Sequence, residues 1–153
     1  MRQKAINTMG YIVSAVSIGI FPYLVFKLDT HDSLRSLLFL GWVLLSMGAG
    51  LVVASLAAFT RNRSGGLIES GVYGIVRHPM YLGALLCFLS FFCFHPHEIT
   101  LFLSLVNGVI VYGYIRQGEK QNMERFGEAY KQYMKKVPQI NLLTGIYRRL
   151  KNR

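Results

Sequence analysis

The sequence predicts an all-α, polytopic membrane protein with about four spanning helices and amphipathic helices after the last span. Three observations carry this. The chain has 153 residues, of which 52% are hydrophobic, and a positive mean hydropathy. Its apolar residues gather into four runs, about 9–26, 34–59, 80–94 and 99–114. Its charges, Arg35 excepted, fall outside those runs, and the net charge is +10. A length of this order suits one domain, here a single membrane domain over 1–153 with a tail at 115–153.

The first run, Met9–Phe26, contains Pro22, where a kink or break is expected. No small-residue cleavage site follows it, so it reads as a retained span. The second run carries no charge beyond Arg35. It holds Gly41, Ser46, Gly48, Gly50, Ala54 and Ala58, small residues that let helix backbones approach in lipid. Crossing the hydrocarbon core takes about 20 apolar residues. The first two runs meet that length; the third and fourth are shorter and are separated by His95-Pro96-His97-Glu98. They read as a crossing pair with locally thinned lipid. Basic residues favour the cytoplasmic side. Arg2 and Lys4, then Arg61, Arg63 and Arg77, then the Lys/Arg-rich tail occupy one side. Asp29, His31, Asp32 and Glu98 occupy the other. Both termini are thus expected in the cytoplasm.

In the tail, Met123, Phe126, Tyr130, Tyr133 and Val137 recur at helical spacing, and Pro138 ends the pattern. Leu142, Leu143, Ile146, Tyr147 and Leu150, interleaved with Arg148, Arg149 and Lys151, read as an interfacial basic helix. The basic balance therefore points to membrane lipids rather than nucleic acid. Cys87 and Cys93, six apart on one helix, read as buried small hydrophobes. His95 and His97 read as an exposed turn, and no metal site is expected.

Chemistry concentrates where Arg77-His78-Pro79 meets the third run. Charged side chains at a membrane helix mouth are costly unless they face water, headgroups or a ligand. A helix start with Pro at its first position explains the same residues without chemistry. The loop before it, with Ser64-Gly65-Gly66, and the start of the tail, with Arg116 and Glu119, share the cytoplasmic edge.

The stretch Gly71, Val72, Tyr73, Arg77, His78, Pro79, Tyr81, Gly83, with Phe126, Gly127, Tyr130, Tyr133, Val137 and Pro138 in the tail, resembles the isoprenylcysteine carboxyl methyltransferase family and its small phospholipid-methyltransferase-like bacterial relatives. The resemblance implies a membrane methyltransferase using S-adenosylmethionine without a Rossmann domain, acting on a lipophilic or lipidated acceptor. It implies cofactor contacts from Gly65, Gly66, Leu67, Ile68, Tyr73, His78, Pro79, Met80, Tyr81 and Glu119, with Glu119 and Arg116 as catalytic candidates. The family's paired glutamates fall here on Gly118 and Glu119, so one acid is missing. A carboxylate acceptor is already ionised and could be held by Arg116. An amine or hydroxyl acceptor needs a base, for which Glu119 and His78 are the candidates. Membrane sterol reductases carry a similar Arg-His-Pro-x-Tyr run. A nicotinamide-dependent lipid reductase and a non-catalytic scaffold are therefore the rival readings.

Overall fold

A computed structural model describes residues 2–27, 37–62 and 65–151. The elements are α1 (Arg2–Lys27), α2 (Leu37–Arg61), a 3-10 turn (Gly71–Gly74), α3 (Pro79–Phe94), α4 (Glu98–Phe126), α5 (Glu128–Lys136) and α6 (Leu142–Lys151). No strand occurs among the described residues. The expectations that fall on 28–36, on Arg63 and Ser64 and on the last two residues lie outside them. The helices form two compact units, 1–47 with 85–114, and 48–84 with 115–153; α2, α3 and α4 each contribute to both.

Among the described residues two helices, α2 and α4, are long and apolar enough to cross a membrane. The apolar stretch of α1 covers Asn7–Phe21, and α3 has 16 residues, about 24 Å at helical rise. Large apolar side chains such as Phe39, Trp42, Val53, Phe102, Leu105 and Val109 are exposed. In water such surface would be a liability; against lipid tails it carries no penalty.

α1 does not break at Pro22 but continues to Lys27, one residue past the expected end of the first run; membrane helices tolerate proline where neighbouring groups re-satisfy the freed carbonyl. The fourth span does not stop at Tyr114 either. It runs unbroken through Gly118 to Phe126, because Arg116, Gln117, Glu119, Lys120 and Gln121 are good helix formers and offset one glycine. The expected tail helix is divided instead at Gly127. Its φ of 53° lies in the left-handed region that glycine adopts without strain. The chain turns there into α5, and Val137 follows in extended geometry.

In the first unit, polar groups join helices. Asn107 Nδ2 donates to Ser17 Oγ at 3.0 Å, and the Tyr114 hydroxyl donates to the Asn7 carbonyl at 2.9 Å. Phe21 stacks on Phe91 at 4.1 Å between ring centroids. The histidine turn is not the exposed feature expected. His95 is buried, and its carbonyl and that of His97 both accept from the Thr100 hydroxyl, at 2.6 and 2.7 Å. Cys93 is buried and Cys87 half-buried, both as free thiols.

In the second unit, Gly83 of α3 lies against the Gly48 backbone of α2 and the side chains of Leu51 and Val52. This is the packing use expected of the small residues in α2. Tyr130, Tyr133 and Val137 form a buried cluster, covered by Leu67, Met123, Phe126 and Met134. This cluster fastens α5 and the 65–68 loop to the end of α4.

Candidate functional site

Arg77 organises the second unit. Its guanidinium donates to Glu119 Oε1 from Nη2 at 2.6 Å and from Nε at 3.2 Å. Nη1 donates to the carbonyls of Met134 at 3.0 Å and Val137 at 2.7 Å. The backbone N–H groups of Arg77 and His78 donate to the Pro138 and Gln139 carbonyls at 2.9 and 3.2 Å. One residue thus ties the segment before α3 to α4 and to the end of α5. Arginine suits this role because its planar fork presents several donors at once. The pair is nearly buried, at 9% and 13% side-chain exposure.

Beside this network lies a cavity of about 530 Å³. Gly65, Gly66, Leu67, Ile68 and Tyr73 line it from the loop, His78 and Tyr81 from the start of α3. Gly118, Gln121, Asn122, Arg125 and Phe126 line it from α4, Tyr130 and Tyr133 from α5, and Phe59 and Asn62 from the end of α2. Asn62 Nδ2 donates to the Gly66 carbonyl at 2.6 Å, and Arg125 Nη2 to the Gly65 carbonyl at 2.9 Å. The glycine loop is therefore held from both sides, with Gly65 at a φ of 65°. The Tyr133 hydroxyl donates to the Tyr73 carbonyl at 2.6 Å.

Two side chains of the cavity wall, His78 and Tyr130, each carry a buried polar atom, Nε2 and the hydroxyl, that makes no hydrogen bond of good geometry among the described residues. His78 Nε2 lies 3.5 Å from Glu119 Oε1, too far and too poorly aligned for a good bond. The polar side chains around Tyr130 are Asn122, Glu119 and Arg77. Burial pushes the His78 imidazole below its ordinary range, against the opposing pull of the Glu119 carboxylate. The ring is therefore neutral near pH 7. Burial raises Tyr130, Tyr133 and Tyr73 in turn, keeping their hydroxyls protonated. Buried polar atoms without partners are rare; His95 Nε2 and Asn107 Oδ1, outside the cavity, are in the same position.

The sequence-derived candidates divide. Gly65, Gly66, Leu67, Ile68, Tyr73, His78 and Tyr81 share the cavity wall; Pro79, Met80, Arg116 and Glu119 are not part of it. His78 and Tyr81 are three apart and so fall on one side of the first turn of α3, whereas Met80 points outward and is exposed. Pro79 is buried at the helix start, and Arg116 is exposed on α4. Glu119 is neither at the wall nor a solvated surface charge, since its carboxylate is engaged by Arg77. Arg125, Gln121 and Asn122 were not anticipated. Their spacing from Gly118, at three, four and seven residues, marks one helix face and was a usable signal. Gly118 leaves that face open: a Cβ there would lie 3.8 Å from His78 Cε1. Among the described residues, no group of three or more His, Cys, Asp or Glu is placed to hold a metal.

The fold and cavity define a class: a small helical membrane protein with a polar pocket built from a glycine loop, an Arg-His-Pro helix start and a tyrosine-bearing tail. Within that class the chain belongs to the phospholipid methyltransferase family, whose pattern matches residues 36–131, more than half of its length. It is 34% identical over 91 residues to a protein-S-isoprenylcysteine O-methyltransferase of Schizosaccharomyces pombe, covering 59% of this chain and 39% of that protein. It is also 34% identical over 74 residues to the Delta(14)-sterol reductase TM7SF2 of Mus musculus, covering 47% of this chain and 18% of that protein. The chain thus spans well under half the length of these relatives. No solved structure matches it.

Proposed function

We propose that this protein is an S-adenosylmethionine-dependent methyltransferase acting on a lipophilic acceptor at the membrane surface. The observation that carries the reading is the cavity itself, which gathers Tyr73, His78, Tyr81, Arg125 and Tyr130 in one wall beside the glycine loop. Family membership supplies the reaction class. The cavity fits the cofactor in kind. The aromatic faces of Tyr73, Tyr81 and Phe126 suit a flat purine. The Arg125 guanidinium suits an amino-acid carboxylate. S-adenosylmethionine, when bound, supplies an electrophilic methyl carbon on a sulfonium. The chain's part is to orient the partners, which provides most of the rate in an in-line transfer. For an acceptor that must lose a proton, the neutral His78 ring is the base at the cavity wall, Glu119 being held by Arg77.

A second reading has a specific observation behind it. The match to a sterol reductase favours a nicotinamide in the same cavity. Calorimetry on the purified full chain separates the two. S-adenosylhomocysteine is expected to bind, and reduced nicotinamide dinucleotides are not. His78→Ala and Tyr130→Phe should each weaken that binding by roughly 1–3 kcal/mol, the range for an unpaired buried partner. Binding of the nicotinamide alone selects the reductase, and binding of neither selects a scaffold.

We also place the chain as one membrane domain of four spans, with both termini and the cavity in the cytoplasm, on the asymmetry of Lys and Arg. In a background with Cys87 and Cys93 replaced by Ala, His97→Cys should react with an impermeant thiol reagent applied outside the cell. Asn62→Cys should react only after permeabilisation, and the opposite pattern overturns the orientation.

A further inference from the structure

We propose that the outer face of α6 is a docking surface for an anionic phospholipid leaflet, and that seating on lipid steadies the Gly71–Ile75 segment beside the cavity. The face is a single stripe. Leu143, Ile146, Tyr147 and Leu150 stand three, four and seven residues apart, and their exposures are 80%, 41%, 64% and 66%. Nothing among the described residues covers them. On the helix, Arg149 and Lys151 border the stripe on its two sides. Arg148 reaches back to the Lys135 carbonyl at 3.4 Å, which brings the Lys135–Lys136 end of α5 close to the same helix. No acidic residue follows Glu128 in the chain. An apolar stripe bordered by cations, on a stretch of chain that carries no acid, complements an anionic headgroup layer over an acyl boundary.

The inner side of α6 determines what a lipid contact would reach. Gly145 is buried, with its Cα so close to the Ile75 carbonyl that a Cβ would overlap it. Arg149 Nη1 donates to the Gly71 carbonyl at 2.7 Å. These two anchors bracket Tyr73, which lines the cavity and whose carbonyl holds the Tyr133 hydroxyl. Ile75 stands only four residues before Pro79, where the apolar helix α3 begins. That places α6 beside the point at which the chain enters the membrane. Lipid burial of the outer stripe would restrain α6, and through its inner contacts the segment from Gly71 to Ile75.

The test uses the full chain in nanodiscs of phosphatidylcholine alone or with about one third phosphatidylglycerol. Tyr147→Trp in a Trp42→Phe background reports on the outer face, because Trp42 is the chain's single tryptophan. In the anionic discs, emission should shift to the blue and be quenched by brominated lipid, and both effects should weaken at high salt. Amide exchange of Gly71–Ile75 should slow at least about fivefold on adding the anionic lipid. Leu143→Gln with Leu150→Gln should abolish that slowing in a protein that otherwise unfolds at the same temperature. Water-like emission unaffected by brominated lipid in both compositions overturns the docking surface. A blue shift that follows protein concentration in detergent assigns the face to a second copy and overturns it equally. Docking with unchanged exchange at 71–75 overturns the link to the cavity.

Discussion

Replacing Arg77 with Leu is expected to cost about 3–5 kcal/mol of stability, the range for breaking a buried ion pair by removing one partner. The guanidinium answers the Glu119 carboxylate and the carbonyls of Met134 and Val137 together. Its loss leaves a nearly buried negative charge and two acceptors with no donor. Arg77→Lys should recover only part of the loss, because one ammonium cannot reproduce a planar fork that spans α4 and the end of α5. Arg77→Leu combined with Glu119→Leu should be less harmful than the sum of the two single changes, since no orphaned charge then remains. Thermal unfolding of the four proteins in one detergent checks this. An Arg77→Leu protein melting within about 2 °C of wild type would show that the network is not structural, since 1 kcal/mol shifts a chain of this size by roughly 2–4 °C.

The same geometry changes what Glu119→Gln should do. Were Glu119 only a cofactor contact, that substitution would leave stability alone. In the structure, the amide still offers Arg77 an oxygen but no longer a counter-charge, so stability falls as well.

Gly83→Ala is expected to destabilise by about 1–3 kcal/mol, the usual cost of overpacking a close-packed site, and Gly83→Val by more. A Cβ at this position would lie 2.6 Å from the Gly48 carbonyl oxygen, 2.8 Å from Val52 Cγ2 and 3.2 Å from Leu51 Cβ. The nearest of these is helix backbone and cannot swing aside, so α2 and α3 must separate to admit a methyl group. Gly50→Ala is the matched control on α2. Nothing lies within 4 Å of its Cβ position, so the better helix former should be neutral or slightly stabilising. Equal melting temperatures for Gly83→Ala and Gly50→Ala would remove close backbone approach as the reason for glycine at position 83.

The candidate site was legible in part. Tyr73, His78, Tyr81 and the 65–68 loop were marked by the run around Arg77-His78-Pro79, and the cavity does bring them together. Glu119 and Arg116 were chosen by counting residues along the tail. Counting cannot tell which side of a continuous helix faces a cavity. Once α4 runs unbroken to Phe126, its phase turns Gly118, Gln121, Asn122 and Arg125 toward the cavity and Arg116 away.

The sequence by itself determined the helical class, the apolar runs, the start of α3 at its proline and the basic amphipathic character of α6. These follow from composition and local periodicity, which need no partner to be read. It also carried the family, through residue types at fixed spacing. Tertiary structure alone decided that Arg77 clamps α4 to the end of α5 as well as lining the cavity, that His95 is buried, and that His78 and Tyr130 end in one wall. Those outcomes depend on which groups from distant parts of the chain arrive within hydrogen-bond range. Arg77 meets Glu119 42 residues away and Val137 60 residues away. Pairings at such separations are set by how the helices pack, which local pattern does not encode.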